Sequence, residues 1–265
     1  MGAIGKYYIK DSKVEDVKTF EENEGKVVYE VIRITKGKPL FYERHYNRML
    51  NSLKLNQCDY SITSEKLKKL INELTSKNKI TTGNIKITYN MNSKELKLFI
   101  IKHKYPTLKM YSEGVPTILY FGERENPNAK VINNSFRGKV NEVISKRDVF
   151  EAILVNNEGY ITEGSKSNIF LIKENKLYTS KVETVLPGVT RTEIIEMAKE
   201  NGIEVIETDI KYLDLPQYEA MFISGTSPHI LPINKVEEQE YDTKNELLRK
   251  LMNLFNKRVS NYIGK

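Results

Sequence analysis

Glu163 stands in the run Gly159–Phe170, GYITEGSKSNIF, with Ile161 and Thr162 before it and Ile169 and Phe170 after it. A carboxylate inside a strand-forming, apolar pattern is costly to bury unless a cation meets it. The run therefore reads either as a buried anionic site or as an exposed hairpin carboxylate beside a turn. Strand parity places Ile161 and Glu163 on one side, but Gly164 could introduce a bulge that breaks the count. Three other stretches suit an anionic ligand. Pro187-Gly188-Val189-Thr190 brings a glycine and a hydroxyl to a helix start, where free N–H groups and the helix dipole favour phosphate. Ser224-Gly225-Thr226-Ser227 follows a strand and can donate main-chain and hydroxyl hydrogen bonds. Arg48 carries a bidentate fork. Each also has a plain reading: an ordinary helix start, a tight turn, and a solvated helix face.

The chain that must position these groups has 265 residues, enough for one large domain or two of ordinary size. Its formal charge is +7, yet lysines and acids alternate along the whole length. No basic arm and no aromatic–basic RNA-binding motif stands out, so nucleic acid is not expected as a partner. The single cysteine, Cys58, excludes an intramolecular disulfide and a cysteine-based zinc site, and no metal is expected. The first residues, MGAIGKYYIK, fit neither a signal peptide nor a membrane span, and no later apolar run is long enough to cross a bilayer. A cytoplasmic enzyme or binding protein is the expectation.

Lys26–Ile34 is rich in β-branched residues and reads as a strand, turned at Lys36-Gly37-Lys38-Pro39 into a short partner, Leu40–Tyr42. From Glu43 the apolar spacing becomes helical through Tyr46, Met49, Leu50 and Leu53, with His45 and Arg48 near the start. Thr63 can cap a second helix whose buried face is Leu67, Leu70, Ile71 and Leu74. Gly83–Tyr89 and Glu95–His103 form a hairpin turned at Asn90–Ser93. The polar segment Gly122–Ala129 is the best linker candidate, and Asn133-Asn134-Ser135 opens a helix that runs to about Asp148. Strands follow at Glu151–Val155, Ile161–Glu163, Asn168–Lys173 and Lys176–Thr179. Then come a helix at Val189–Glu200 and strands at Ile203–Thr208 and Ala220–Ser224. A last helix carries Leu247, Leu248, Leu251, Met252 and Phe255 on one face. Strands and helices alternate irregularly, which favours a mixed sheet or barrel over a doubly wound parallel sheet.

Taken together, these stretches resemble the class IV (fold type IV) pyridoxal-phosphate enzymes, which include branched-chain and D-amino-acid aminotransferases and aminodeoxychorismate lyases. VYEVIR (28–33) is similar to the first-strand motif, HYNRM (45–49) to the helix of the phosphate arginine, and AKVINN (129–134) to the segment of the cofactor lysine. EAILVNNEGYITEGSKSNIF (151–170) is close to the longest signature, and LPGVTR (186–191) and FISGTS (222–227) resemble the two phosphate turns. The likeness spans roughly residues 27–233.

Position by position, the resemblance implies that Lys130 bonds covalently to pyridoxal 5′-phosphate and moves the substrate's α-proton. Ala129, Val131 and Ile132 would desolvate its amine. Glu163 would keep the pyridine nitrogen protonated. Arg48, Val189, Thr190, Gly225 and Thr226 would bind the phosphate, while Tyr29 and Ser227 would face the substrate. Some features depart from individual branches. The loop NMNSKEL (90–96) lacks the Arg-x-His pair of D-amino-acid aminotransferases, and Asn134 stands where branched-chain enzymes usually place a tyrosine. Glu30, Thr162-Glu163-Gly164-Ser165 and Thr190 favour transamination over lyase chemistry. Arg124 and Arg137 either recognise a side-chain carboxylate or make structural pairs.

The implied molecule is an α/β (α+β) enzyme of two domains. Residues 1–121 would form a smaller N-terminal α/β domain, 122–129 a linker, and 130–265 a mixed α/β pseudo-barrel that binds the cofactor. It would move an amino group between an amino acid of branched-chain or D type and a 2-oxo acid such as 2-oxoglutarate. The alternatives are a pyruvate-releasing 4-amino-4-deoxychorismate lyase and a non-catalytic pyridoxal-phosphate-binding member. A cytoplasmic homodimer is expected, with no membrane partner.

Overall fold

Alternating apolar residues build a six-stranded antiparallel sheet from β1 (Ala3–Lys10), β2 (Lys13–Asp16), β3 (Val27–Thr35), β4 (Lys38–Pro39), β5 (Thr82–Asn90) and β6 (Leu96–Ile101). The strand order is β2-β1-β6-β5-β3-β4. The computed structural model describes residues 2–60, 62–132 and 134–264. Asn133, expected near the start of a helix and three residues after Lys130, lies outside the described residues.

Helices α1 (Tyr42–Leu55) and α2 (Ser64–Lys77) cover this sheet. Their spacing of three and four residues buries Met49, Leu53, Leu67, Leu70, Ile71 and Leu74 against Ile32, Ile85 and Leu98. Thr63 caps α2 as expected, its hydroxyl accepting from the Lys66 N–H. The partner strand expected at Leu40–Tyr42 is instead Lys38–Pro39. Lys36 and Gly37 both have positive φ, +50° and +76°, so two residues suffice for the turn. The chain then reaches α1 through Phe41 in the left-handed region (φ 51°), and no side chain of α1's own cap satisfies the helix start. The Tyr42 N–H donates to Tyr262 Oη instead, at 2.9 Å.

A second sheet has ten strands. The chain passes through α3 (Leu108–Glu113), β7 (Val115–Phe121), α4 (Asn134–Arg147), β8 (Glu151–Val155), β9 (Tyr160–Gly164), β10 (Asn168–Lys173) and β11 (Lys176–Thr179). It continues through α5 (Val189–Glu200), β12 (Val205–Glu207), β13 (Ile210–Lys211), β14 (Ala220–Gly225), β15 (His229–Val236), β16 (Gln239–Glu240) and α6 (Glu246–Gly264). The order is β12-β11-β10-β14-β15-β7-β8-β9-β13, with β16 on β15. β7 runs parallel to both β15 and β8, whereas β10 runs antiparallel to β14. This is a mixed sheet, as the irregular alternation of elements implies.

Contacts gather the chain into two units, Met1–Lys104 with Ala129–Ile132 and Val259–Lys265, and Tyr105–Asn128 with Asn133–Arg258. That division differs from the expected one at 121 and 130. β7 belongs to the second unit because it is zipped to β8 from Thr117↔Glu151 to Phe121↔Val155. Ala129–Ile132 belongs to the first because Val131 bridges Val28, with the Tyr29 N–H donating to Lys130 O and the Ile132 N–H to Val27 O, each at 3.0 Å.

Candidate active site

In the first unit, β3 presents Tyr29 and Glu30 from adjacent positions, and α1 presents His45, Arg48 and Ser52. The helix residues share one face because their spacing is three and then four. Glu30, wholly buried, receives Arg48 Nε on Oε1 at 2.8 Å and Arg48 Nη2 on Oε2 at 2.6 Å. His45 Nδ1 lies 2.8 Å from the same Oε2 and therefore carries the proton that it donates. Burial alone would raise the Glu30 pKa; the Arg48 charge and the hydrogen bonds from Arg48 and His45 outweigh it and hold the carboxyl at about 2. Burial drives His45 the other way from an ordinary imidazolium, favouring its neutral form despite Glu30. The bidentate fork expected on a phosphate is thus engaged by Glu30 through Nε and Nη2.

Lys130 is half-buried beside this cluster, its Nζ 4.6 Å from the centroid of the Tyr29 ring. Its carbonyl is held by the Tyr29 N–H and its own N–H donates to Ser52 Oγ at 3.1 Å. Ala129 is buried and Val131 packs against the core, while Ile132 is half-buried. The first unit therefore brings together Tyr29, Arg48 and Lys130.

In the second unit, Glu163 lies near the end of β9, only 4% exposed. Its Oε1 accepts from Arg124 Nη1 at 3.0 Å and its Oε2 from the Leu186 N–H at 3.1 Å. Arg124, one of the two arginines considered for substrate recognition, thus serves as a partner of Glu163. Between the pairs Ile153↔Gly164 and Val155↔Ile161, β9 spans one residue more than β8. That bulge falls at Thr162–Glu163 and breaks the parity. Ile161 goes into the apolar cluster with Val155 and Ile169, while Glu163 is turned toward Arg124 and Leu186.

The loop beyond it is fastened by Glu151, whose carboxylate accepts from the Ser165 hydroxyl (2.5 Å), the Ser167 hydroxyl (3.1 Å) and the Lys166 N–H (3.3 Å). Asn168 then joins two turns. Its Nδ2 donates to Leu186 O at 2.9 Å, and its backbone pairs with Ser224 across β10 and β14. Leu186 is consequently held on its N–H by Glu163 and on its carbonyl by Asn168. Two residues later Gly188 stands at the cap position before α5, where Val189 and Thr190 are buried and no side chain caps the helix. Thr226, Ser227 and Pro228, all half-buried, form the turn from Gly225 to His229, which pair across β14 and β15. Glu163, Val189, Thr190, Gly225, Thr226 and Ser227 all lie in this unit. Ser52 and Glu151 were not singled out from sequence. Ser52 falls one helical turn after Arg48, and Glu151 is an acid heading an apolar strand, which is the same signal that marked Glu163.

The model of the family described as amino-transferase class IV matches residues 27–236. The chain belongs to the class IV aminotransferase family. Among relatives, it is 28% identical over 268 residues to a protein of Methanocaldococcus jannaschii provisionally named a branched-chain-amino-acid aminotransferase, covering 92% of each chain. It is 29% identical to a D-alanine aminotransferase of Listeria monocytogenes (80% of this chain, 79% of that one). It is 27% identical to the aminodeoxychorismate lyase of Bacillus subtilis (89% and 86%). The fold is shared with the branched-chain aminotransferase of Thermoproteus uzoniensis, at a TM-score of 0.87 and 21% identity over 97% of this chain and 96% of that one. This class IV aminotransferase is an enzyme whose cofactor is pyridoxal 5′-phosphate. Its residues fit such an anionic, aromatic group. The two small-residue turns have donors to offer: α5 starts without a side-chain cap, and Ser224 Oγ, buried beside Gly225, has no hydrogen-bond partner among the described residues. Glu163 is a buried carboxylate suited to a protonated ring nitrogen, and Lys130 is a half-buried amine.

Proposed function

We propose that this class IV enzyme transfers the amino group of a branched-chain or D-amino acid to a 2-oxo acid such as 2-oxoglutarate. Lys130 Nζ would form the covalent link to the cofactor and carry the proton to and from the substrate's Cα. Bound there, the pyridine ring supplies an electron sink for the negative charge that develops at that carbon. Glu163, paired with Arg124, would hold the ring nitrogen's proton. Val189 and Thr190 at the α5 start, with Gly225 and Thr226, would take the phosphate. Arg48, whose Nε and Nη2 meet Glu30, would add its positive charge to the phosphate site. Tyr29 and Ser227 would face the substrate.

The observation that carries this reading is the buried Glu163, aimed by a bulge and held at both oxygens within its Thr-Glu-Gly-Ser run. A buried, fixed carboxylate at the ring nitrogen suits repeated reversible proton movement at Cα. The likeness to a Bacillus subtilis lyase supports a second reading, release of pyruvate from aminodeoxychorismate. A panel of L- and D-amino acids with 2-oxoglutarate or pyruvate as acceptor tests the first. A coupled pyruvate assay on aminodeoxychorismate tests the second, and pyruvate release without amino transfer to any acceptor overturns the first. The same reading includes a cytoplasmic location and a homodimer, and sedimentation of the purified protein checks the dimer.

A further inference from the structure

Lys130 and Tyr29 occupy directly opposed positions of an antiparallel pair. Val28 bridges Val131, the Tyr29 N–H donates to Lys130 O, and one residue on the Ile132 N–H donates to Val27 O. In a regular ladder such opposed residues exchange both hydrogen bonds, so the Lys130 N–H would return to the Tyr29 carbonyl. The Lys130 N–H reaches Ser52 Oγ, 3.1 Å away. Ser52 is fully buried in the last turn of α1, four residues and about 6 Å along the axis from Arg48. A serine there commonly bonds back to its own helix or faces water; this one reaches out of the helix to a peptide remote in sequence.

We propose that Ser52 is the positioning residue of Lys130: by accepting the lysine's N–H from a buried hydroxyl on α1, it pins the peptide at that residue and fixes the direction in which the side chain leaves the backbone. The segment needs such a fixture. Residues 129–132 pair with β3 only around Val28 and Val131, too short a pairing to hold a register by itself. A slip of one residue would put the lysine on the opposite face. The hydroxyl ties that short segment to α1, the helix that carries His45 and Arg48, so the amine and the arginine are set from one rigid element. The proposal rests on the assignment of Lys130 to the cofactor for its catalytic consequence, but not for the contact itself.

Ser52→Ala removes the acceptor, Ser52→Cys keeps the size with a weak one, and Ser52→Thr keeps the hydroxyl. Amide hydrogen exchange of the cofactor-free protein reads the contact directly. The Lys130 amide should exchange roughly tenfold faster in Ser52→Ala and Ser52→Cys, with the rest of β3 and α1 unchanged, and Ser52→Thr should restore protection. In the holoenzyme the same two variants should lower kcat more than KM and reduce the fraction of cofactor that borohydride fixes to Lys130, again with rescue by threonine. Unchanged exchange at Lys130, or uniform loss of protection throughout the first unit with no rescue, overturns the proposal. If instead the parent protein never traps cofactor on Lys130, the functional assignment falls while the exchange result still decides the contact.

Discussion

Arg124 Nη1 stands 3.0 Å from Glu163 Oε1, while the Leu186 N–H holds Oε2, so a charge and a backbone donor share one buried carboxylate. Both contacts stabilise the ionised form. Glu163→Gln keeps the size and removes the charge. It should leave cofactor bound and cut turnover by roughly 10²-fold or more, the scale of losing one preorganised charge. Steady-state kinetics on cofactor-saturated enzyme check this, and turnover equal to the parent's would refute the role.

Lys130→Ala should abolish borohydride fixation of the cofactor and essentially all amino transfer. Mass spectrometry of the reduced, digested protein locates the adduct. A pyridoxyl group on another lysine of the variant would show that the catalytic amine lies elsewhere.

The Glu30 cluster makes the first unit acid-sensitive. Glu30 has a folded pKa of about 2 against an ordinary 4.5, so its stabilisation is complete above about pH 4.5 and fades as pH falls toward 2. Its upper bound is about 3 kcal/mol from the size of that shift. His45, held below its ordinary 6.5 by burial, adds to the same side: below that pH the unfolded chain takes up a proton that the folded chain resists. Urea titrations should show stability declining on acidification from about pH 6.5. Glu30→Ala should cost roughly 3–5 kcal/mol at neutral pH by leaving Arg48 buried without its carboxylate.

Gly188→Ala should disturb the turn before α5. The backbone there, φ −62° and ψ 132°, suits any residue, but a Cβ would come within 2.0 Å of Asn168 Oδ1. Loss of cofactor affinity with little change in kcat at saturation is expected. Adding Asn168→Ala removes the clash, so the two substitutions together should cost less than their sum. Strict additivity in a cofactor titration would refute the coupling.

Much of the second unit was legible in sequence because its signals are local. The limits of Glu151–Val155, Asn168–Lys173, Lys176–Thr179 and Val189–Glu200 match the structure. Turns such as Glu174-Asn175, at φ 51° and 58°, are written in their own residues. The first hairpin escaped because Asp11 and Ser12, at φ 44° and 72°, make its turn without a glycine. The membership of Lys130 in the first unit depends on pairing with Tyr29, about a hundred residues earlier, and no local pattern reports a partner so distant. Glu30 could be read as a strand residue but not as the mate of Arg48, because that match needs β3 and α1 packed together. At Glu163 the glycine raised the question of a bulge, and the register answered it at Thr162–Glu163.

The division of α6 carries one more consequence. Its residues up to Arg258 belong to the second unit, but those beyond belong to the first. There Tyr262 Oη meets the Tyr42 N–H and Glu43, and the Ile263 carbonyl meets Lys38 Nζ. During synthesis the ribosome releases β1 through β6 long before either late-arriving piece, 129–132 or 259–264. Until those pieces arrive, the nascent first unit lacks the acceptor of the Tyr29 N–H and the acceptor of the Tyr42 N–H at the α1 start, and both contacts are of high sequence separation. Refolding of the full chain should be slower than the helical content of the first unit alone would suggest.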